Sequence, residues 1–294
     1  MNEKTISRGH IIALSVLYVL GNGILNFPLK GTDEFGFTAY LVSLLVLVVF
    51  YVAFSMITNK ISQTPKAFFC GYIILISVVS LFIGANAFGD AVNFMTRTLL
   101  QGVPTFFISL IFGITVVYFA LKPSQSLFKF SLVTCVFVVG IILFFFVAPM
   151  EKYELRNIYI FRLPNLNSLL PQVKVYLLNP VLHSISLPLF FNLCIGKTCG
   201  KPATVGVFFG GVFFGLCLLA PILLFGAHTG GEFSFPFSSA AETVTVGRLF
   251  TRLDGFVYFV YFITCLVKIT VSLKVSLTAL KRVRETFSNN KFRA

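Results

Sequence analysis

The sequence predicts an all-α polytopic membrane protein of about eight transmembrane helices, the first and sixth of them interrupted. Three observations carry this. Of 294 residues, 57% are hydrophobic, 11% are charged and 37 are Phe, with a mean hydropathy of +0.92, more than a soluble core of this length needs. Apolar runs of about 20 residues, enough to cross roughly 30 Å of hydrocarbon, recur along the chain. Two of those runs carry helix-breaking residues near their centres.

In chain order the runs are 9–29, 37–58, 67–96, 104–121, 126–148, 172–195, 203–227 and 255–280. The first lacks the charged segment, short apolar stretch and small-residue cleavage site of a signal peptide, so it is expected to be a retained helix. It contains GNGILNFP at residues 21–28. Gly is about 1 kcal/mol and Pro about 3 kcal/mol worse than Ala inside a helix, so this span is expected to break. The third and eighth runs are long enough to tilt or protrude. The sixth reads VYLLNPVLHSISLPLFFN, with Pro180 and Pro188 inside it. Proline removes a backbone donor and clashes with the preceding turn, so this helix too is expected to be interrupted. The seventh contains Gly210 and Gly211, whose replacement by Leu is expected to cost ligand binding far less than replacement of Gly21 and Gly23. The eighth follows Asp254, a residue suited to a first helical turn, with Arg252 able to pair with it or with Glu242. The whole is expected to form one transmembrane domain, residues 1–294, with a basic cytoplasmic tail at 281–294.

Charge between the runs sets an orientation. With a cytoplasmic N-terminus, inside segments hold thirteen basic and two acidic residues, net +11, and outside segments seven basic and eight acidic, net −1. Both termini are therefore expected in the cytoplasm of a multi-pass protein in the cell membrane. The positive excess is spread over short loops facing anionic lipid, which makes the bilayer the partner and excludes nucleic acid. Six Cys are scattered, and Cys194 and Cys199 bracket CIGKTC with no His or second Cys pair beside it, so no metal is expected. No nucleophile elbow, zinc-protease helix, phosphate loop or dinucleotide fingerprint is present, and the three His stand far apart. Neither an enzyme nor a cofactor is expected.

Irregular backbone at membrane depth is tolerated only where protein or a water-filled cavity satisfies the freed amides. GNGILNFP therefore implies a lined cavity, with Gly21, Asn22, Gly23, Ile24 and Leu25 offering open backbone to a ligand. A glycine packing face with a proline kink is the alternative. Asn179, His183, Ser184 and Ser186 stand at the second break. The same feature five spans apart is the signature of an inverted repeat, here 9–148 followed by an incomplete 172–280. Lys268 lies 14 residues past Asp254 and 13 before Lys281, about 20 Å from either end. A cation at that depth is a functional residue by default, the alternative being a lysine that snorkels to the cytoplasmic face beside Lys274. Asn86, Asp90 and Asn93 share one helix face and could line an outer vestibule; Asp90 with Arg97 could equally form an interfacial cap.

GNGILNFP resembles the first-helix pattern of the amino acid–polyamine–organocation superfamily. TVGRLFTRLDGFVYFVYFITCLVKITVSLKV, residues 245–275, resembles the eighth helix of the spore-germination permeases, the B-type membrane subunits of nutrient germinant receptors, and NLNSLLP at 165–171 resembles their approach to helix six. The resemblance implies a broken-helix transporter core, shortened after the eighth span of the family's usual ten. It implies a small nutrient as ligand, an amino acid first, other receptor subunits as partners and the spore inner membrane as location. It also sets helix eight against the break in helix one, where sodium-coupled relatives hold Na⁺, so that Lys268 would substitute for the ion. An amino acid transporter, proton-coupled or uniport, and a ligand-free scaffold subunit are the other functions compatible with these residues. Many members carry an acidic residue early in helix six, and this chain has none between Arg162 and Phe191.

Overall fold

The computed structural model describes residues 6–21, 36–157, 184–196, 199–226, 229, 233, 235–244 and 254–291. Their architecture is helical: α1 (Arg8–Leu20), α2 (Gly36–Ile61), α3 (Lys66–Phe94), α4 (Thr105–Leu121), α5 (Ser124–Val147), α6 (Ser186–Ile195), α7 (Gly200–Phe225), the short α8 (Pro236–Glu242) and α9 (Asp254–Lys291). Five stretches are long and apolar enough to cross a bilayer: 40–61, 67–99, 124–152, 200–225 and 254–286. The remaining apolar helices, α1, α4 and α6, have 13, 17 and 10 residues. Together the helices fall on all eight apolar runs. α9 begins at Asp254 as expected and runs 38 residues, about 57 Å, so the helix continues through the basic segment from Lys281 to Lys291.

Two helices form the centre. In α1 every residue from Ala13 to Leu20 is buried, and the apolar window of α9 is 72% buried against 28% for that of α5. α1 packs on α7, α5 and α9, while α9 packs on α3, α4, α6, α1 and α5. Around them α2, α3, α4 and α5 turn large apolar side chains outward, among them Leu45, Val49, Phe82, Ile111 and Val136, as a lipid-facing surface requires.

Small residues set how close the helices come. The α7 sequence GVFFGGVFFG, residues 206–215, presents two glycine pairs. A Cβ on Gly206 would fall 2.6 Å from the Ile12 carbonyl oxygen, and one on Gly210 2.9 Å from Val19 Cβ, so this pair seats α1. Gly211 and Gly215 instead meet Leu44 and Tyr40 of α2, and the Tyr40 hydroxyl donates to the Gly211 carbonyl. Gly206 and Gly210 thus lie where two helix backbones need the missing Cβ, while Gly211 and Gly215 leave room for the Leu44 and Tyr40 side chains. On the other side of the core, Ser80 Oγ donates to Ser272 O (3.3 Å) and Ser276 Oγ to Ser77 O (3.0 Å), joining α3 to α9. A Cβ on Gly84 would lie 3.0 Å from Ser272 Cβ in the same seam.

The helix ends sort by charge. α1 starts at Ser7, whose hydroxyl and backbone N–H meet Nδ1 of His10 at 2.7 and 3.3 Å. Its first turn lies by α5, since Gly9 approaches Leu132, and Gly200 at the start of α7 approaches Ser55. Arg282 lies over the Phe69 ring at 5.8 Å, and Lys274 Nζ donates to Ala120 O at 3.0 Å and to Lys122 O. The described basic segments thus gather at one end of the bundle. At the other end Lys152 reaches Thr243 O (2.8 Å), and Phe94 packs edge-on to Phe235, Tyr258 and Tyr261 with ring centroids 4.9–5.3 Å apart.

Candidate ligand site between the helix breaks

Helix α1 stops at Leu20, inside the apolar run that continues to residue 29, where the Gly21 N–H closes the last turn on Leu17 O at 2.9 Å. Gly21 lies directly on α9: a Cβ there would stand 2.5 Å from the Thr264 carbonyl oxygen and 3.0 Å from Lys268 Cβ. Glycine is thus required for the end of α1 to touch the α9 backbone. The second break falls at Ile185, after Ser184, and α6 starts at Ser186. Pro188 stands two residues past that start, in keeping with the expected interruption of this run. It occupies the first turn, where a missing N–H leaves no intrahelical bond unmade. Asn22, Gly23, Ile24, Leu25, Asn179, Pro180, His183 and Arg252 lie outside the described residues.

Lys268 is 2% exposed, so it does not snorkel to the surface. Buried Cys265 lies one turn before it, and the Asp90 carboxylate of α3 acts electrostatically on its ammonium. Lys274, paired with it in the snorkelling alternative, is the residue turned to the basic end, where it caps the last carbonyls of α4. One helical turn from Gly21, the buried Tyr18 hydroxyl is turned toward Ser186 of α6 and Ser272 of α9. Neither serine closes a hydrogen bond of ordinary geometry; Ser186 Oγ and Ser272 Oγ are buried and without a hydrogen-bond partner among the described residues. Buried hydroxyls are nearly always satisfied, so this pair marks a place where water or a ligand belongs. Ser184, 2% exposed, lies at the same break.

The structure brings Gly21, Ser186 and Lys268 into the same core region, and Ser184 is buried just ahead of α6. It leaves Asn86, Asp90 and Asn93 exposed on α3. Of these, Asp90 alone faces the site electrostatically. It makes no ion pair with Arg97, which belongs to a separate π-helical turn, Met95–Leu99. Tyr18 and Ser272 were missed from the sequence. A signal for part of this was present: Thr264, Lys268, Ser272 and Ser276 recur every fourth residue in α9. Four residues turn a helix by about 400°, so the polar stripe drifts by about 40° per step, from the α1 contact at Thr264 and Lys268 to the α3 seam at Ser272 and Ser276.

An all-helical bundle with five membrane-length helices, centred on an interrupted helix and a buried lysine, is a polytopic membrane protein of the permease type. Residues 5–293 match the family described as spore germination protein, so the chain belongs to the spore-germination permease family over nearly its whole length. It is a permease-like membrane protein of spore germination. No curated protein matches the chain.

Proposed function

We propose that this protein binds a small nutrient, an amino acid, in the space where α1 stops and α6 starts, as the membrane subunit of a germinant receptor. The observation that carries this is the pair of buried, unpartnered hydroxyls at Ser186 and Ser272 facing Tyr18, one turn from Gly21 and Lys268. Hydroxyl donors, a lysine ammonium and the open end of a helix together suit a carboxylate and a small polar head. In this reading residues 21–25, Asn179, His183, Ser184 and Ser186 contact the nutrient, Lys268 supplies the positive charge held by sodium in related carriers, and Asn86, Asp90 and Asn93 line the approach. The chain is organised as one repeat, 9–148, and a second, 172–280, with both termini cytoplasmic in the spore inner membrane. Other receptor subunits read out the bound conformation.

The test is a thermal-shift screen of the purified chain against the common amino acids. A ligand that binds only the folded state stabilises it by about 2.7 kcal/mol at a hundredfold excess over Kd. A shift that Ser186→Ala abolishes supports the site; no shift with any amino acid in a well-folded sample rejects it in favour of a scaffold subunit. The charge of Asp90, acting at a distance on Lys268, favours a second reading, a proton-coupled carrier, which uptake into proteoliposomes separates from a sensor.

A further inference from the structure

At the basic end of the bundle a cavity of about 510 Å³ opens between the α4–α5 turn and α9. Its polar lining is Lys122, Ser124 and Gln125 from the turn, and Lys274, Thr278 and Lys281 from α9. Residues 274, 278 and 281 follow i, i+4, i+7 spacing and so share one face of that helix. No acidic side chain lines the cavity, and Glu285, one turn beyond Lys281, is not among its walls. Three cations around one cleft repel one another, an arrangement that an anion relieves.

The base of the cleft is built rather than merely charged. Lys274 is 6% exposed, and two of its three N–H donors go to the Ala120 and Lys122 carbonyls, which fixes the ammonium and leaves one donor. Ser124 opens α5 behind Pro123 with no side-chain cap on its first N–H groups, so the positive end of that helix adds to the lysines. Lys122 and Lys281 are exposed at the mouth, with the Lys122 ammonium resting over the Tyr118 ring at 4.7 Å. The lip is apolar: Leu121 and Leu277 line the cavity and are exposed, and Tyr118 and Leu280 extend the exposed surface beside them. A basic base with a hydrocarbon-facing lip is complementary to an amphiphile.

We propose that this cleft holds the phosphate of an anionic phospholipid, the headgroup on Lys122, Lys274 and Lys281 and the acyl chains along Leu121 and Leu277. Free inorganic phosphate offers the lysines the same chemistry, but the apolar lip favours the lipid. Such a site ties the α4–α5 turn to α9, the helix that carries Lys268.

Native mass spectrometry of the full chain, titrated with phosphatidylglycerol or with phosphatidylcholine of the same acyl chains, reads the preference directly. A lysine near the surface contributes about fivefold in anionic-lipid affinity, so the double variant Lys122→Gln/Lys281→Gln should lose about thirtyfold of the preference for phosphatidylglycerol. Lys60→Gln/Lys201→Gln, which removes two exposed lysines from the same end but outside the cleft, should keep it. Equal losses in the two double variants would reduce the effect to a diffuse field and overturn the proposal. So would an unchanged preference in Lys122→Gln/Lys281→Gln. A thermal-shift arm with sodium phosphate in neutral detergent separates the sources: stabilisation by inorganic phosphate equal to that by phosphatidylglycerol, and lost in Lys122→Gln/Lys281→Gln, would overturn the lipid assignment in favour of a soluble anion.

Discussion

Gly21→Ala isolates the contact on which the site depends. The backbone at Gly21 has φ −65° and ψ 3°, a conformation open to any residue, so the substitution acts through space alone. The added carbon would stand 2.5 Å from the Thr264 carbonyl oxygen, whereas a carbon–oxygen contact rests at about 3.3 Å or more. The end of α1 must therefore withdraw by about 0.8 Å from the segment of α9 that carries Lys268. Overpacking of this kind costs about 1–3 kcal/mol, equivalent to a fall of about 2–6 °C in Tm for a chain of this size. Gly140→Ala is the matched control. Nothing lies within 4 Å of its added carbon, and the exposed helix position gains up to about 1 kcal/mol in propensity. The chain has no Trp, but Cys217 and Cys265 are buried free thiols, so a thiol-reactive dye reports unfolding in detergent. Gly21→Ala melting with or above Gly140→Ala would refute the packing of the α1 terminus on α9.

Three further outcomes are expected. Lys268→Met keeps the stem and deletes the charge. It should weaken the amino acid response by about 5- to 150-fold, the equivalent of one to three kcal/mol for buried acceptors left without a donor, while Na⁺ has no effect on wild-type; normal binding by the variant or sodium-stimulated binding rejects the ion-substitute role. Gly210→Leu should reduce folded protein in the membrane as severely as Gly21→Leu, since it forces α7 off Val16 and Val19, and a well-folded Gly210→Leu would reject the glycine seam. Single cysteines at Leu155 and Glu285, both exposed, in a Cys-free background should label from opposite sides of the membrane; Ser238 is unsuitable because it is buried with its hydroxyl on Tyr258 (3.2 Å). Labelling of both cysteines from one side would reject the proposed orientation.

By itself the sequence determined what depends on local chemistry. Eight apolar runs announced the helices because the bilayer demands about 20 apolar residues per crossing. Gly21 announced the end of α1 because glycine is a poor helix interior, and Asp254 announced the start of α9. The burial of Lys268 was legible from its distance to both ends of its helix. The tertiary structure alone decided which way each helix faces. In lipid a packed surface and a lipid-facing surface are equally apolar, so hydrophobic periodicity carries no facing signal. Hence GVFFGGVFFG did not reveal that Gly206 and Gly210 seat α1 while Gly211 and Gly215 seat α2. Nor did six residues of spacing reveal that Lys268 meets the α1 break while Lys274 caps α4. Ser186 could be named from its place beside a break, but Tyr18 and Ser272 join it only through the packing of α1, α6 and α9, more than 80 residues apart in the chain at each step.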